Sequence, residues 1–410
     1  MLPGGYGRST FMVGDGAPYA IRGAGYNVWD DTGCELVDLN NNFTTLIHGH
    51  AAPAVVQATV EALANGCSFG LPTEGELDHG EALLLRLPHA DRIRYTNSGT
   101  EAVMTALRIA RAHTGRSRTI MVRRAYHGTS DPVLPAGDQR SWRGLPAAVR
   151  AETTLLGLND VSALRETIGR EGSQTAAMLI DLMPNRSGLI SATPEYVRAL
   201  TDLCEELEIL LIVDEVISFR LAFDSFGASY DLVPDITVLG KLIGGGLPIG
   251  ALAGRREVMD ELNPQRPDGL EHGGTFSGNP ITMASGLAAL ELFDAAAVDR
   301  LNGLGDTLRE ALDRRAASCG WEIRGKGSLL RPWPVATSGP DVGTLHRALW
   351  WAAYERGILL NPTGLIALST PMDGPLVERL AIDLGDAVEA VANGWRPDDG
   401  VQPGAAPAEA

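Results

Sequence analysis

Two apolar runs that each lead to an ionisable residue constrain the fold of this chain more than any other feature. The run Ile209–Val213 is typical of a strand buried on both faces of a parallel sheet, and Asp214 follows it directly. The run Ile236–Leu239 leads to Lys241, and three consecutive glycines lie just beyond that lysine. Because open α/β sheets bind their ligands at the carboxyl ends of strands, we expect Asp214 and Lys241 at such an edge.

Strand and helix patterns alternate along the middle of the chain, from about residue 90 to residue 280. This alternation predicts a doubly wound α/β domain with a mainly parallel sheet. Beyond Pro280 the pattern changes to long helices and a few short strands, which indicates a second, smaller α+β unit. The segment 131–156 has several prolines and glycines and little periodicity, and we interpret it as a candidate mobile loop over a site.

Composition and charge argue against several classes of protein. The formal net charge of −17 and the pI of about 4.9 disfavour a nucleic-acid-binding protein and binding to acidic membranes. The four cysteines form no CxxC pair, and His48, His50 and His127 have no metal-ligand spacing, so neither a disulfide framework nor a metal site is predicted. The sequence has no secretory signal and no run as long as a membrane span, so we expect a cytoplasmic protein.

The two residues at the predicted strand ends suit one chemistry. A lysine buried beside glycines has a lowered pKa, which frees its amine to attack a carbonyl group. A carboxylate against a pyridine nitrogen keeps that nitrogen protonated and makes the ring an electron sink. Lys241 and Asp214 together therefore suggest a Schiff base to pyridoxal phosphate, although either residue alone would be taken as an ordinary surface or structural residue.

A short polar segment is a candidate phosphate site. Ser98, Gly99 and Thr100 begin a predicted helix, where free backbone N–H groups, the helix dipole and two hydroxyl groups attract an anion. Ser98 and Glu101 also fit the S-x-x-E capping box, so a plain N-cap explains the same residues. From these residues alone both interpretations stay open.

Several segments resemble the class III aminotransferases of the fold-type I pyridoxal-phosphate superfamily. They are NSGTEAVMTALRIARAHTGR, YHG, LLIVDEV, TVLGKLIGGGLPIGALAGR and GGTFSGNP. The similarity runs from Leu2 to about Leu368 and points to the branch that contains glutamate-1-semialdehyde aminomutases and β-phenylalanine-type aminotransferases. It implies a fold-type I architecture with a large PLP-binding α/β domain at 51–284 and a small α+β domain built from 1–50 and 285–395. The composition of the tail at 396–410 predicts disorder.

The resemblance also implies a cofactor site and a homodimer. Lys241 would form the Schiff base with pyridoxal 5'-phosphate and carry a proton between substrate and cofactor, while Asp214 would pair with the ring nitrogen. Tyr126 would stack on the ring as a further catalytic residue, and Thr275 would reach the phosphate bound by the partner subunit. The other implied cofactor contacts are Ser98, Gly99, Thr100, His127 and Val216.

Departures from the family pattern narrow the expected substrate. Arg8, which follows Tyr6-Gly7, is expected to bind a substrate carboxylate through a bidentate pair, and Phe43 is expected to line the substrate pocket. The surroundings of Arg8 and the segment 218–221 are closer to β-amino-acid aminotransferases than to aminomutases. A family Glu-Pro pair is replaced by Asp181-Leu182, with no predicted effect.

These implications predict a transaminase for a β- or ω-amino acid and a keto acid, working through Lys241 and a pyridoxamine phosphate intermediate. An intramolecular aminomutase of the glutamate-1-semialdehyde type is the alternative, because it would use the same residues around the cofactor. A decarboxylase or racemase of the same fold also stays open. A non-catalytic binding protein is disfavoured, because Ser98, Tyr126, Asp214, Lys241 and Thr275 are all present.

Overall fold

The structure of the protein, a computed structural model, describes residues 2–8, 13, 18–335 and 340–397. The chain forms two compact units. The terminal unit comprises Met1–Pro53 and Asp299–Ala410, and the central unit comprises Ala54–Val298. Most of the tail that was predicted to be disordered, residues 398–410, lies outside the described residues.

The strands are β1 (Ala20–Ala24), β2 (Asn27–Asp30), β3 (Glu35–Asp38), β4 (Arg92–Thr96), β5 (Arg118–Val122), β6 (Thr153–Leu156), β7 (Thr175–Ile180), β8 (Leu210–Asp214), β9 (Ile236–Gly240), β10 (Gly250–Gly254), β11 (Trp321–Lys326), β12 (Leu329–Pro334), β13 (Ile358–Leu359) and β14 (Ile366–Ala367). The helices are the single turn α1 (Asn41–Thr44), α2 (Pro53–Asn65), α3 (Glu74–Leu84), α4 (Gly99–Thr114), α5 (Ala147–Ala151), α6 (Val161–Glu171), α7 (Pro194–Glu206), α8 (Arg256–Met259), α9 (Pro280–Leu292), α10 (Ala295–Ala316), α11 (Val342–Tyr354) and α12 (Gly374–Ala392).

The central unit is built on one seven-stranded sheet with the order β4-β10-β9-β8-β7-β5-β6. The four pairs from β9 to β6 are parallel, whereas β10 is antiparallel to both of its neighbours. Strands β7, β8 and β9 are buried along their whole length, as expected for a parallel sheet with both faces covered. This arrangement confirms the predicted doubly wound, mainly parallel α/β fold.

Strand β10 has no clear signal in the sequence, because glycine and alanine occupy four of its five positions. Its first glycine is required by close packing. A Cβ on Gly250 would lie 2.1 Å from the carbonyl oxygen of Ser98, so only glycine allows the strand to approach the turn that precedes α4.

The segment 131–156, which we interpreted as a candidate mobile loop from its low periodicity, contains several short regular elements. Asp131–Ala136 and Gln139–Trp142 are 3₁₀ helices, and α5 and β6 follow them. Strand β6 is the edge strand of the central sheet, where it pairs in parallel with β5. Each of these elements is too short to show a period, and β6 is defined by its pairing with a distant strand rather than by its own sequence.

The terminal unit contains two small sheets. Strands β1, β2 and β3 form an antiparallel meander to which β13 adds in parallel, and β11, β12 and β14 form an antiparallel sheet. The turn between β2 and β3 is held by Asp30, whose Oδ1 accepts the N–H groups of Thr32 and Cys34 at 2.9 Å each.

A helix that crosses a membrane must be long and apolar along its length. Among the described residues no single helix is long and apolar enough, and Pro280–Leu292 with Ala295–Cys319 meets the criteria only as a pair bent by 72°.

Candidate active site

Asp214 lies at the carboxyl end of β8 and is buried, with 5% of its surface exposed. Its two oxygens are held by neighbours within the central unit. Oδ1 accepts the backbone N–H of Val216 at 3.0 Å, and Oδ2 lies 2.7 Å from Nδ1 of His127. The carboxylate is therefore fixed in direction at the edge of the sheet where ligands bind.

The His127 ring reaches Asp214 by one nitrogen only. Its side chain is fully buried, and Nε2 has no hydrogen-bond partner among the described residues. A buried ring nitrogen without a partner is uncommon, and it marks a place where a ligand or water completes the site. His127 thus contacts Asp214, which sequence reasoning alone did not indicate.

Lys241 directly follows β9, the strand beside β8, and Asp214 pairs in register with Val238 three positions before it. Its φ angle is +53°, a conformation that residues other than glycine rarely adopt. Burial lowers the pKa of its amine to about 8, although the charges of Asp214 and Asp181 act in the opposite direction. A lysine with this pKa is largely available as a free amine at slightly alkaline pH.

Helix α4 begins at the same edge of the sheet. Ser98 is its N-cap, since its Oγ accepts the N–H of Glu101 at 3.2 Å. The Glu101 carboxylate does not return to Ser98 as in a full capping box, because it accepts the N–H of Asn97 at 2.8 Å instead. The first-turn N–H groups at Gly99 and Thr100 have no acceptor within the helix and form a favourable place for an anion.

Two glycines, Gly99 and Gly240, lie close to the side chain of Val216. A Cβ on Gly99 would approach Val216 Cγ2 to 3.0 Å, and a Cβ on Gly240 would approach Val216 Cγ1 to 3.4 Å. A Cβ on Gly128 would lie 2.4 Å from the Thr100 hydroxyl oxygen. These glycines allow the segments after β4, β5 and β8 and the end of β9 to pack closely against one another.

Tyr126 follows β5 and leaves 43% of its surface exposed, so part of this residue is accessible to a ligand. The guanidinium of Arg186 lies over this ring, with its central carbon 4.2 Å from the ring centroid. Sequence reasoning missed Arg186, which comes from the loop after β7. Sequence reasoning also gave no role to Asp181. This residue directly follows β7 and is next to Asp214, the last residue of the neighbouring strand β8.

The two predicted substrate residues meet within the terminal unit. The Arg8 guanidinium lies over the Phe43 ring at 5.9 Å, and its Nη2 donates to Asn42 Oδ1 at 3.1 Å. Phe43 belongs to α1, a left-handed turn in which all four residues have φ between +47° and +77°. Because a left-handed turn strains non-glycine residues, its persistence requires support from the surroundings.

That support comes from polar side chains on either side of α1. Asp38 Oδ1 accepts the N–H groups of Asn40 and Asn41 at 2.8 Å each, and Asn40 Oδ1 accepts the N–H of Phe43 at 2.9 Å. The Asn41 amide donates to the Ala367 carbonyl at 2.7 Å. The turn therefore presents Phe43 in one fixed orientation within the terminal unit.

Thr275 lies in the segment before α9 and is exposed, as is Phe276 beside it with 61% of its surface accessible. This exposure leaves Thr275 accessible to another molecule.

The central-unit residues fit pyridoxal phosphate. The start of α4 suits its phosphate, the fixed Asp214 carboxylate suits its ring nitrogen, and the Lys241 amine suits its aldehyde. His127, whose Nδ1 lies 2.7 Å from Asp214, keeps a buried Nε2 that has no hydrogen-bond partner among the described residues, as expected where a bound group completes the site.

Comparison with known proteins identifies the family. Residues 15–372 match the family described as aminotransferase class-III. The chain is 37% identical over 333 residues to a glutamate-1-semialdehyde 2,1-aminomutase from Desulfatibacillum aliphaticivorans, a match that covers 78% of each chain. Its fold is similar to an omega-transaminase from Sphaerobacter thermophilus (37% identity, TM-score 0.89, 96% and 95% of the two chains).

A β-phenylalanine aminotransferase from Variovorax paradoxus is also similar, with 30% identity, a TM-score of 0.88 and coverage of 97% and 93% of the two chains. The family match spans most of the sequence, and the two solved structures share nearly the whole fold. The chain therefore belongs to the class III aminotransferases and is a pyridoxal phosphate-dependent enzyme.

Proposed function

We propose that this enzyme transfers an amino group between a β- or ω-amino acid and a keto acid, with Lys241 as its reactive amine. One observation carries the proposal. Lys241 and Asp214 lie at the tips of two adjacent parallel strands, and burial lowers the lysine pKa to about 8. This pairing supports the assignment of a reactive amine and a ring-nitrogen partner to one edge of the sheet.

In this mechanism the bound cofactor supplies an electron sink for the negative charge left when a substrate carbon loses its proton. Lys241 Nζ accepts that proton and donates it again, because a pKa near 8 suits both steps close to neutral pH. Asp214 presents a carboxylate to the ring nitrogen, and His127 holds that carboxylate in place at 2.7 Å. The first turn of α4 binds the phosphate through Gly99 and Thr100.

We assign substrate recognition to Arg8 and Phe43. A guanidinium binds a carboxylate through two parallel hydrogen bonds, which fixes the orientation of the acid as well as its position. The strained turn that carries Phe43 is supported by five hydrogen bonds from Asp38, Asn40 and Asn41, as expected for a pocket wall. The names of the solved relatives, an omega-transaminase and a β-phenylalanine aminotransferase, support an amino group placed away from the α carbon.

An intramolecular aminomutase is the second candidate. The name of the Desulfatibacillum aliphaticivorans relative favours it, at an identity equal to that of the omega-transaminase. Both reactions would use Lys241, Asp214 and the start of α4 in the same way. They differ in whether a second substrate is required.

We further propose a homodimer with shared sites, in which Thr275 completes the phosphate site of the partner subunit. Its exposed position supports this assignment. Several large apolar side chains of the central unit are also exposed, which is typical of an interface. They are Val56, Val60, Leu63, Phe69, Leu71, Leu77 and Leu85.

A half-reaction experiment tests the proposed activity. The enzyme with bound cofactor is mixed with single α-, β- or ω-amino compounds in the absence of any keto acid, and the cofactor absorbance is followed. For a transaminase we expect a lasting change that reverses only when a keto acid is added, with β- or ω-amino acids as the active donors. A change that reverses by itself while the amine is isomerised would establish the aminomutase.

A further inference from the structure

His79 is a buried histidine that the proposed mechanism does not use. It lies on α3 with 0% of its surface exposed, and both ring nitrogens have partners. Nε2 is 2.7 Å from the carbonyl oxygen of Ile243, and Nδ1 is 2.8 Å from the hydroxyl oxygen of Tyr95. Burial lowers its pKa to about 4, so the ring is neutral and carries one hydrogen.

The two contacts determine where that hydrogen lies. A carbonyl oxygen only accepts hydrogen bonds, so Nε2 carries the hydrogen and donates it to Ile243. Nδ1 then accepts from Tyr95, whose hydroxyl stays protonated because burial raises its pKa. Tyr95 also lies 3.4 Å from the Glu76 carbonyl, but its single hydrogen favours the shorter contact to His79.

The two partners belong to different halves of the cofactor site. Ile243 is two residues beyond Lys241, in the 3₁₀ turn Lys241–Gly244. Tyr95 is on β4, three residues before Ser98 and the start of α4. Strands β4 and β9 are not neighbours, since β10 lies between them. His79 therefore connects the loop of the reactive lysine with the strand that leads to the phosphate site.

Helix α9 packs against the same loop and leaves it little freedom. A Cβ on Gly286 would lie 2.2 Å from the Ile243 carbonyl oxygen and 2.5 Å from His79 Nε2. The Ser285 hydroxyl donates to the Gly244 carbonyl at 3.1 Å. These contacts hold the loop in which Lys241 keeps its left-handed φ of +53°, a conformation that is strained in a non-glycine residue.

We propose that His79 is a positioning residue, which fixes the Lys241 loop relative to the phosphate site through Ile243 and Tyr95. The inference rests on the proposed function, in which Lys241 is the reactive amine. If the Ile243 bond is lost, the loop relaxes and the lysine amine moves away from an aldehyde whose position is set by the bound phosphate. Catalytic geometry is sensitive to displacements of about 1 Å, which can slow a reaction on the order of 100-fold.

The test separates the reaction of Lys241 from binding at the phosphate site. Full-length protein freed of cofactor is mixed with pyridoxal phosphate, samples are reduced with borohydride at set times, and the label on Lys241 is measured. Affinity at the phosphate site is measured with 4′-deoxypyridoxine phosphate, which has no aldehyde and cannot react with an amine. The variants are His79→Leu, which removes both hydrogen bonds, and His79→Gln, which keeps a donor for Ile243.

We expect His79→Leu to slow labelling of Lys241 at least about 10-fold, while the dissociation constant for 4′-deoxypyridoxine phosphate changes less than about threefold. His79→Gln should label within about threefold of the wild-type rate, because the bond to Ile243 is restored. His89 offers a matched control, since its Nε2 lies 2.8 Å from the Thr237 hydroxyl, away from the lysine loop. His89→Leu should label at the wild-type rate.

Three results would overturn the inference. In the first, Lys241 is labelled in His79→Leu at the wild-type rate. In the second, His79→Leu lowers the labelling rate and the affinity for 4′-deoxypyridoxine phosphate by the same factor. In the third, labelling is as slow in His79→Gln as in His79→Leu. If His79→Leu does not fold, His79→Gln is compared with His79→Asn, and equal rates for the two would refute it. Failure of the proposed role of Lys241 gives a different result, because the total label on the Lys241→Ala protein would then still reach the wild-type extent.

Discussion

The buried Asp181 carboxyl makes the folding stability of the protein depend on pH. Ile180 pairs with Val213, so Asp181 and Asp214 follow side by side on neighbouring strands. Burial, together with the charge of Asp214, raises the pKa of Asp181 from 3.8 to about 7. The unfolded chain thus loses this proton near pH 4, whereas the folded protein keeps it until about pH 7.

The sign of the pH dependence follows from this difference. A carboxyl whose folded pKa is raised stabilises the fold most at low pH, and that contribution is lost as pH rises through the folded pKa. Three pKa units correspond to about 4 kcal/mol, of which roughly 2.5 kcal/mol falls between pH 5 and pH 8. An asparagine at this position is neutral throughout, so Asp181→Asn should gain stability relative to wild type as pH rises.

The assay is thermal melting of wild type and Asp181→Asn from pH 5 to pH 8 at constant ionic strength. For a chain of 410 residues, we expect the difference in Tm to grow by about 3 °C in favour of the variant across this range. Asp268→Asn is the control, because Asp268 is exposed and Arg266 lowers its pKa. A Tm difference for Asp181→Asn that stays constant from pH 5 to pH 8 would refute the reasoning.

Three further outcomes are expected. Arg8→Lys should raise KM about 10-fold or more for amino donors that carry a carboxylate, because the bidentate contact is lost. The KM for amines without a carboxylate should change little. Equal effects on the two classes of donor in steady-state kinetics would argue against this role of Arg8. Asn40→Ala should lower the free energy of unfolding by about 1 kcal/mol, because the Phe43 N–H loses its acceptor. Chemical denaturation measures this change, and an unchanged denaturation midpoint would contradict the prediction. Lys241→Ala and Thr275→Ala should each lower the activity of the enzyme when tested alone. A mixed dimer of the two variants should regain activity, because one of its sites combines an intact Lys241 with an intact Thr275 from the other subunit. No gain in activity on mixing would place Thr275 in the site of its own subunit.

The sequence alone located much of the central sheet and its ligand edge. The buried strands β8 and β9 have continuous apolar sequences, and helix α7 begins after the N-cap Thr193 with Pro194 in its first turn. Such elements are specified locally, because burial on both sheet faces and helix capping each leave a pattern within a few residues. The predicted fold class followed from their order.

The tertiary structure decided features whose causes lie far apart in the chain. Strand β10 can approach the turn before α4 because Gly250 fits against Ser98, and the left-handed turn at Phe43 is supported in part by the bond from Asn41 to the distant Ala367. The raised pKa of Asp181 arises from its burial and from the strand register that sets it beside Asp214, and the role inferred for His79 arises from contacts 16 and 164 residues away. Patterns in a sequence report burial and local hydrogen bonding, whereas these properties depend on distances that only the packed chain defines.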